Sequence, residues 1–165
     1  MRVHDNMNWN YDDLIRWDGE FPIPDVTILD IQFNNLNVLP DKIFKLTSLI
    51  KFDCSNNGLV SLPPEIGRLS QLQTFYCHDN VLVSLPPEIG QLSQLQLFHC
   101  SDNKLVSLPP EIGHLRNLRW FDHSNNQIEY IPPNILRIIN RVQNHQNVYT
   151  DNQNVHNHNI QKCIT

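Results

Sequence analysis

The chain has 165 residues, 40% of them hydrophobic, which suits one domain with a continuous core. Its 12 lysines and arginines stand against 17 aspartates and glutamates, a formal net charge of -5, and no basic cluster occurs anywhere. That balance argues against nucleic acid or an anionic membrane as the main partner.

Residues 1–25 show no internal repetition. Tyr11, Leu14, Ile15 and Trp17 are spaced to form the apolar face of a short helix, and Phe21 and Ile23 to lie against whatever follows. An N-terminal cap is expected here. The opening MRVHDNMNWNYDD has no apolar stretch and no run approaches a transmembrane length, so a cytoplasmic protein is expected.

From Val26 onward the chain repeats. The string LVSLPPEIG occurs at Leu59 to Gly67, Leu82 to Gly90 and Leu105 to Gly113, each copy displaced by 23 residues. A period of this length is the signature of a solenoid, whose units bury their apolar faces only by stacking. The register extends to five units, 26–48, 49–71, 72–94, 95–117 and 118–140. Their fourth residues are Leu29, Phe52, Phe75, Phe98 and Phe121, and their sixth Ile31, Cys54, Cys77, Cys100 and His123. The ninth is always asparagine: Asn34, Asn57, Asn80, Asn103 and Asn126.

Apolar residues at the first, fourth and sixth positions describe a short strand with one inward face. The asparagine stands where the chain leaves the strand, so its amide can satisfy backbone groups that a half-buried turn would leave unpaired. The ninth positions are therefore expected to form a structural ladder from coil to coil. Pro63-Pro64-Glu65-Ile66-Gly67 and its copies read as short helical turns: proline suits the first helical position, glutamate complements the helix N-terminus, and glycine permits the exit. Glu65, Glu88 and Glu111 are helix chemistry on this reading, rather than an acidic stripe for a basic partner. Ile135, Leu136, Ile138, Ile139 and Val142 continue as a helix that closes the stack, and residues 141–165 are an Asn- and His-rich tail.

These residues resemble the leucine-rich repeat family, L-x-x-L-x-L-x-x-N-x-L followed by x-x-L-P-x-x-I-x-x-L. The resemblance covers about two-thirds of the chain and looks like the 23-residue class of intracellular, Ras-pathway-type scaffolds. It implies an α/β solenoid, a right-handed arc with a concave parallel sheet and short convex helical turns. It also implies a non-enzymatic protein-binding module, with a signalling regulator engaging a small GTPase or a phosphatase as the alternative. Extracellular members usually resemble one another in cysteine-paired caps, and none is visible here. The Asn-rich tail and caps also look like leucine-rich repeat proteins of giant DNA viruses of amoebae, which would make a host cytoplasm the working compartment.

Three constellations suggest chemistry. Cys54, Cys77, Cys100 and His123 form a Cys3His set, but strands about 4.8 Å apart spread four such residues along roughly 14 Å, and zinc needs its ligands to converge. His145, His156 and His158 sit in a tail with little to fix their geometry. Ser55, His78, Asp79, Ser101 and Asp122-His123-Ser124 bring hydroxyl, imidazole and carboxylate near the strand ends, but acyl-transfer chemistry also needs an oxyanion hole and a pocket. No enzyme, cofactor or metal site is therefore expected.

What remains is the outward face of the strands. Third positions are Ile28, Lys51, Thr74, Leu97 and Trp120; fifth are Asp30, Asp53, Tyr76, His99 and Asp122; seventh are Gln32, Ser55, His78, Ser101 and Ser124. Tyr76, Leu97, His99 and Trp120 should form one patch across the third to fifth units. Such a patch is either a protein-binding hot spot or a chance grouping of exposed aromatics. The expectation is a monomer that binds a protein partner there.

Overall fold

The computed structural model of the protein describes residues 7–20 and 25–147. Phe21, Ile23, His156, His158 and the side chain of His145 lie outside the described residues.

Six strands form one parallel sheet in sequence order: β1 Met7–Trp9, β2 Val26–Asp30, β3 Lys51–Asp53, β4 Thr74–Tyr76, β5 Leu97–His99 and β6 Trp120–Asp122. Each of the five units supplies one strand, and equivalent positions pair directly, as in Phe52↔Phe75 and Phe75↔Phe98. The fourth-position phenylalanines therefore stack in a buried column, with centroids 5.5 Å apart for Phe52–Phe75, 5.6 Å for Phe75–Phe98 and 5.5 Å for Phe98–Phe121. His123 closes this column against Phe121, its ring 4.9 Å away.

The cap adds a strand that the helical pattern alone does not suggest: β1 pairs with β2, covering the sheet edge that the first repeat would expose. Helix α1, Tyr11–Arg16, follows immediately, opened by a capping box between Asn10 and Asp13. Leu14 is buried, but Ile15 is 51% exposed rather than part of the apolar face, because it lies about 100° around the helix from Leu14, on the side turned from the core. Lys42 Nζ donates to the carbonyls of Ile15 and Trp17, and Lys45 Nζ to that of Gly19 at 2.7 Å. Cations thus tie the end of the cap to the first convex turn.

The convex turns are 3-10 helices, Asp41–Lys45, Pro64–Arg68, Pro87–Gln91 and Pro110–His114. Proline occupies the first helical position in the last three, as the missing N–H and fixed φ favour. The glycines do not provide the expected left-handed exit, since each lies inside its turn and Gly19 is the one glycine with positive φ among the described residues. They are instead sites of close approach. A Cβ on Gly90 would lie 2.5 Å from the Glu111 carbonyl oxygen, and one on Gly67 2.6 Å from Gln91 Oε1.

In the fifth unit the turn becomes helix α2, Pro133–Asn147, which runs across residue 140 into the expected tail. Ile135, Ile138, Ile139 and Val142 are buried beneath it. Leu136, expected on this face, is 37% exposed; it occupies the place held by glycine in the preceding turns and points away from the stack. Arg141 donates to the Leu115 and Leu118 carbonyls at 3.2 Å, so α2 also caps the last turn.

Candidate functional site

The strands leave the sheet through a left-handed residue at the eighth position: Phe33 (φ 58°), Asn56 (53°), Asp79 (51°), Asp102 (52°) and Asn125 (52°). Asparagine and aspartate tolerate this conformation best; Phe33, 71% exposed, is the exception. The ninth-position amide then ties adjacent coils. Asn80 Oδ1 accepts from Leu59 N at 2.9 Å, and its Nδ2 donates to the carbonyls of Cys54, Cys77 and His78 at 3.1 to 3.2 Å. Asn57, Asn103 and Asn126 repeat the pattern. Asn34 heads the column differently: its backbone N–H donates to Asn57 Oδ1, and its own amide donates to Gln32 O.

On the concave face, the fifth and seventh positions are coupled. Asp30 Oδ1 accepts from Gln32 N, Asp53 Oδ1 from the Ser55 N–H and hydroxyl, and Asp122 Oδ1 from the Ser124 N–H and hydroxyl. Each aspartate braces its own strand end. Some residues expected to face solvent are buried, Asp53 and Ser55 among the braced pairs and Ser101 beside them, while the braced Ser124 is exposed.

The third and fourth coils lack this aspartate. Tyr76 and His99 replace it, paired directly across β4 and β5, while Leu97 pairs with Trp120 across β5 and β6. The register thus makes Tyr76, Leu97, His99 and Trp120 contiguous. Tyr76, Leu97 and His99 are half-buried and Trp120 is 45% exposed. The Tyr76 and His99 rings meet edge to face at 6.2 Å, and Lys51 Nζ lies 5.3 Å over the Tyr76 ring.

His78 and Asp102 belong to this patch although the aromatic pattern does not select them. The His78 ring stacks on His99 at 4.2 Å, and its Nδ1 lies 2.8 Å from Asp79. Ser101 Oγ donates to Asp102 Oδ2 at 2.6 Å, and Asn125 Nδ2 donates to Asp102 Oδ1. The Ser101 hydrogen bond, aided by Asn125, holds the Asp102 carboxyl below its usual range. Burial, then the neighbouring His78, pushes the His99 imidazole below its usual range, against an upward pull from Asp122, Asp102 and Asp79. What could have revealed these residues is the row alignment, which sets His78 beside Ser101 in the seventh row and Asp79 beside Asp102 in the eighth.

Hydroxyl, imidazole and carboxylate do meet here, but not as a relay. His99 Nε2 faces both Ser101 Oγ at 2.9 Å and Asp122 Oδ2 at 3.3 Å, so one ring nitrogen is shared between the groups a triad places on opposite nitrogens. Ser101 is 2% exposed and gives its proton to Asp102. Cys54, Cys77 and Cys100 are fully buried free thiols, pushed well up by desolvation. Among the described residues no cluster of histidine, cysteine or carboxylate could hold a metal ion.

Residues 48–69 match the Leucine Rich Repeat family model. No curated protein matches the chain. A solved leucine-rich repeat protein of Leptospira interrogans is 38% identical with a TM-score of 0.66, the match covering 68% of this chain and 29% of that one. A chain of the BIR3–SERK2 complex from Arabidopsis thaliana is 29% identical (TM-score 0.61; 68% of this chain, 63% of that one). A TDR receptor is 31% identical (TM-score 0.62; 67% and 20%). The chain thus spans less than two-thirds of the length of each. The five stacked coils, with their phenylalanine column and asparagine ladder, are leucine-rich repeats, and the chain belongs to the leucine-rich repeat family.

Proposed function

We propose that the protein is a non-enzymatic interaction module that binds a protein partner on the concave face of its sheet, through Tyr76, Leu97, His99 and Trp120. One observation carries this reading. At the fifth position the repeat has a self-sufficient solution, an aspartate bracing its own strand end, and the third and fourth coils replace it with Tyr76 and His99 beside Leu97 and Trp120. The buried column beneath is made by other residues, Phe52, Phe75, Phe98 and Phe121. Exposed aromatics clustered on one face are what hot spots are made of. The leucine-rich repeat neighbour solved as a two-protein complex, BIR3–SERK2, lends support to protein recognition by this architecture. Three buried reduced thiols suit a reducing, cytoplasmic compartment. A small GTPase or a phosphatase as the partner rests on the repeat class alone.

The test is affinity capture from the native cell, with the Tyr76→Ala/Trp120→Ala double variant as control. Removing both rings should weaken partner binding by about 2 kcal/mol or more, while Glu88→Ala and Gln91→Ala on the convex side leave it unchanged. A partner that holds the double variant as tightly as the parent refutes the concave site.

A further inference from the structure

We propose that the segment docking on this face is cationic, an arginine or lysine side chain lying across Trp120 with its charge against Asp122. The inference rests on the concave reading and adds the chemistry of the partner.

Charge is divided along the strands. Two cations stand at the starting edge of the sheet, Lys51, the first residue of β3, over the Tyr76 ring, and Arg119, immediately before β6; the exposed Lys104 follows the end of β5, two residues past Asp102. The carboxylates Asp79, Asp102 and Asp122 stand toward the strand ends. Asp79 and Asp102 are exposed, and the hydrogen bonds from Ser101 and Asn125 keep Asp102 ionised.

Trp120 is the ring left unused. Tyr76 is engaged by Lys51, and His78 by His99. Among the described residues the Trp120 indole stacks on no other ring and its N–H donates to no acceptor, although the side chain is 45% exposed. Trp120 and Asp122 are two residues apart on one strand, so their side chains leave the same face roughly 7 Å apart. An indole face attracts a guanidinium or ammonium. Its edge N–H seeks a carbonyl, and a carboxylate pairs with the charged head. One cationic residue with its own peptide carbonyl satisfies all three, which neither an acidic nor a purely apolar segment does.

The probe is an acetylated hexa-arginine amide, with hexa-citrulline as its neutral isostere, titrated calorimetrically into the full chain at about 50 mM salt, where screening is weak. The arginine peptide should bind and the citrulline peptide should not. Trp120→Ala and Asp122→Asn should each weaken binding about fivefold or more. Glu111→Gln, which removes the same charge from the convex side, should change it by less than about twofold. Equal losses for Asp122→Asn and Glu111→Gln, equal binding of the two peptides, or no binding of the arginine peptide would overturn the proposal. If Trp120→Ala weakens binding and Asp122→Asn does not, the proposed charge pairing with Asp122 falls and the concave face stands. If both are silent while the peptide binds, both readings fall.

Discussion

The asparagine ladder allows the sharpest test of how the coils hold together. Asn80 is 8% exposed in the central coil. Asn80→Leu keeps the side chain's length but removes one acceptor and both donors. The Leu59 N–H, otherwise held at 2.9 Å, is then left in the interior with no partner from that side chain, while the Cys54 and Cys77 carbonyls each lose one of two amide donors and keep those of Asn57 and Asn103. An orphaned buried backbone donor costs about 1 to 3 kcal/mol, and that is the expected loss, since both carbonyls keep an amide partner. Urea denaturation should show the midpoint falling with little change in slope, the mark of lost stability rather than altered compactness. The control is Asn140→Leu, an exposed asparagine on α2 with no side-chain hydrogen bond among the described residues, which should stay within about 0.5 kcal/mol of the parent. Hydrogen exchange localises the effect, because the Leu59 amide should exchange much faster in the Asn80 variant. Equal denaturation shifts for the two variants, or an unchanged Leu59 amide, would refute the ladder as the tie between coils.

Two further outcomes follow from the packing and from the histidines. Gly90→Ala places a Cβ 2.5 Å from the Glu111 backbone oxygen and should lower stability by about 1 to 3 kcal/mol in thermal melts. Gly58→Ala meets only the flexible end of Asn37 at that range and should cost clearly less; the reverse order would mean that close approach does not set the convex spacing. Acidification should destabilise the protein: burial, before any other cause, holds both His99 and His123 below the usual imidazole range, so the unfolded chain binds the protons more readily. The stability these neutral rings contribute is fully present above the unfolded value of about 6.5 and is lost as pH falls below it toward their lowered folded values. His99→Gln should flatten that loss in denaturation midpoints measured from about pH 7.5 down to pH 5. A steeper loss in the variant would contradict the assigned sign.

The sequence by itself determined the coil. Phe52, Phe75, Phe98 and Phe121 recur in phase, and a solenoid places equivalent residues against one another, so their stacking and the pairing of the asparagines are legible from the period. The adjacency of Tyr76, Leu97, His99 and Trp120 follows from the same rule. Only the tertiary structure decided what happens where the repeat ends or where side chains from different coils compete for one space. β1 joins the sheet because the first coil leaves an edge to cover, a demand that the local pattern of residues 7–9 does not announce. Ser55 and Ser101, hydrogen-bonded to Asp53 and Asp102, are buried with further coils on both sides, whereas Ser124, with the same kind of bond in the last coil, is exposed. His78 stacks on His99 because two residues 21 positions apart meet across the strand ends. The glycines of the convex turns show the same division. Their recurrence is visible in the sequence, but their reason lies in the next coil: a Cβ on Gly90 would collide with the Glu111 backbone, and one on Gly67 or Gly113 with side chains of the coil that follows.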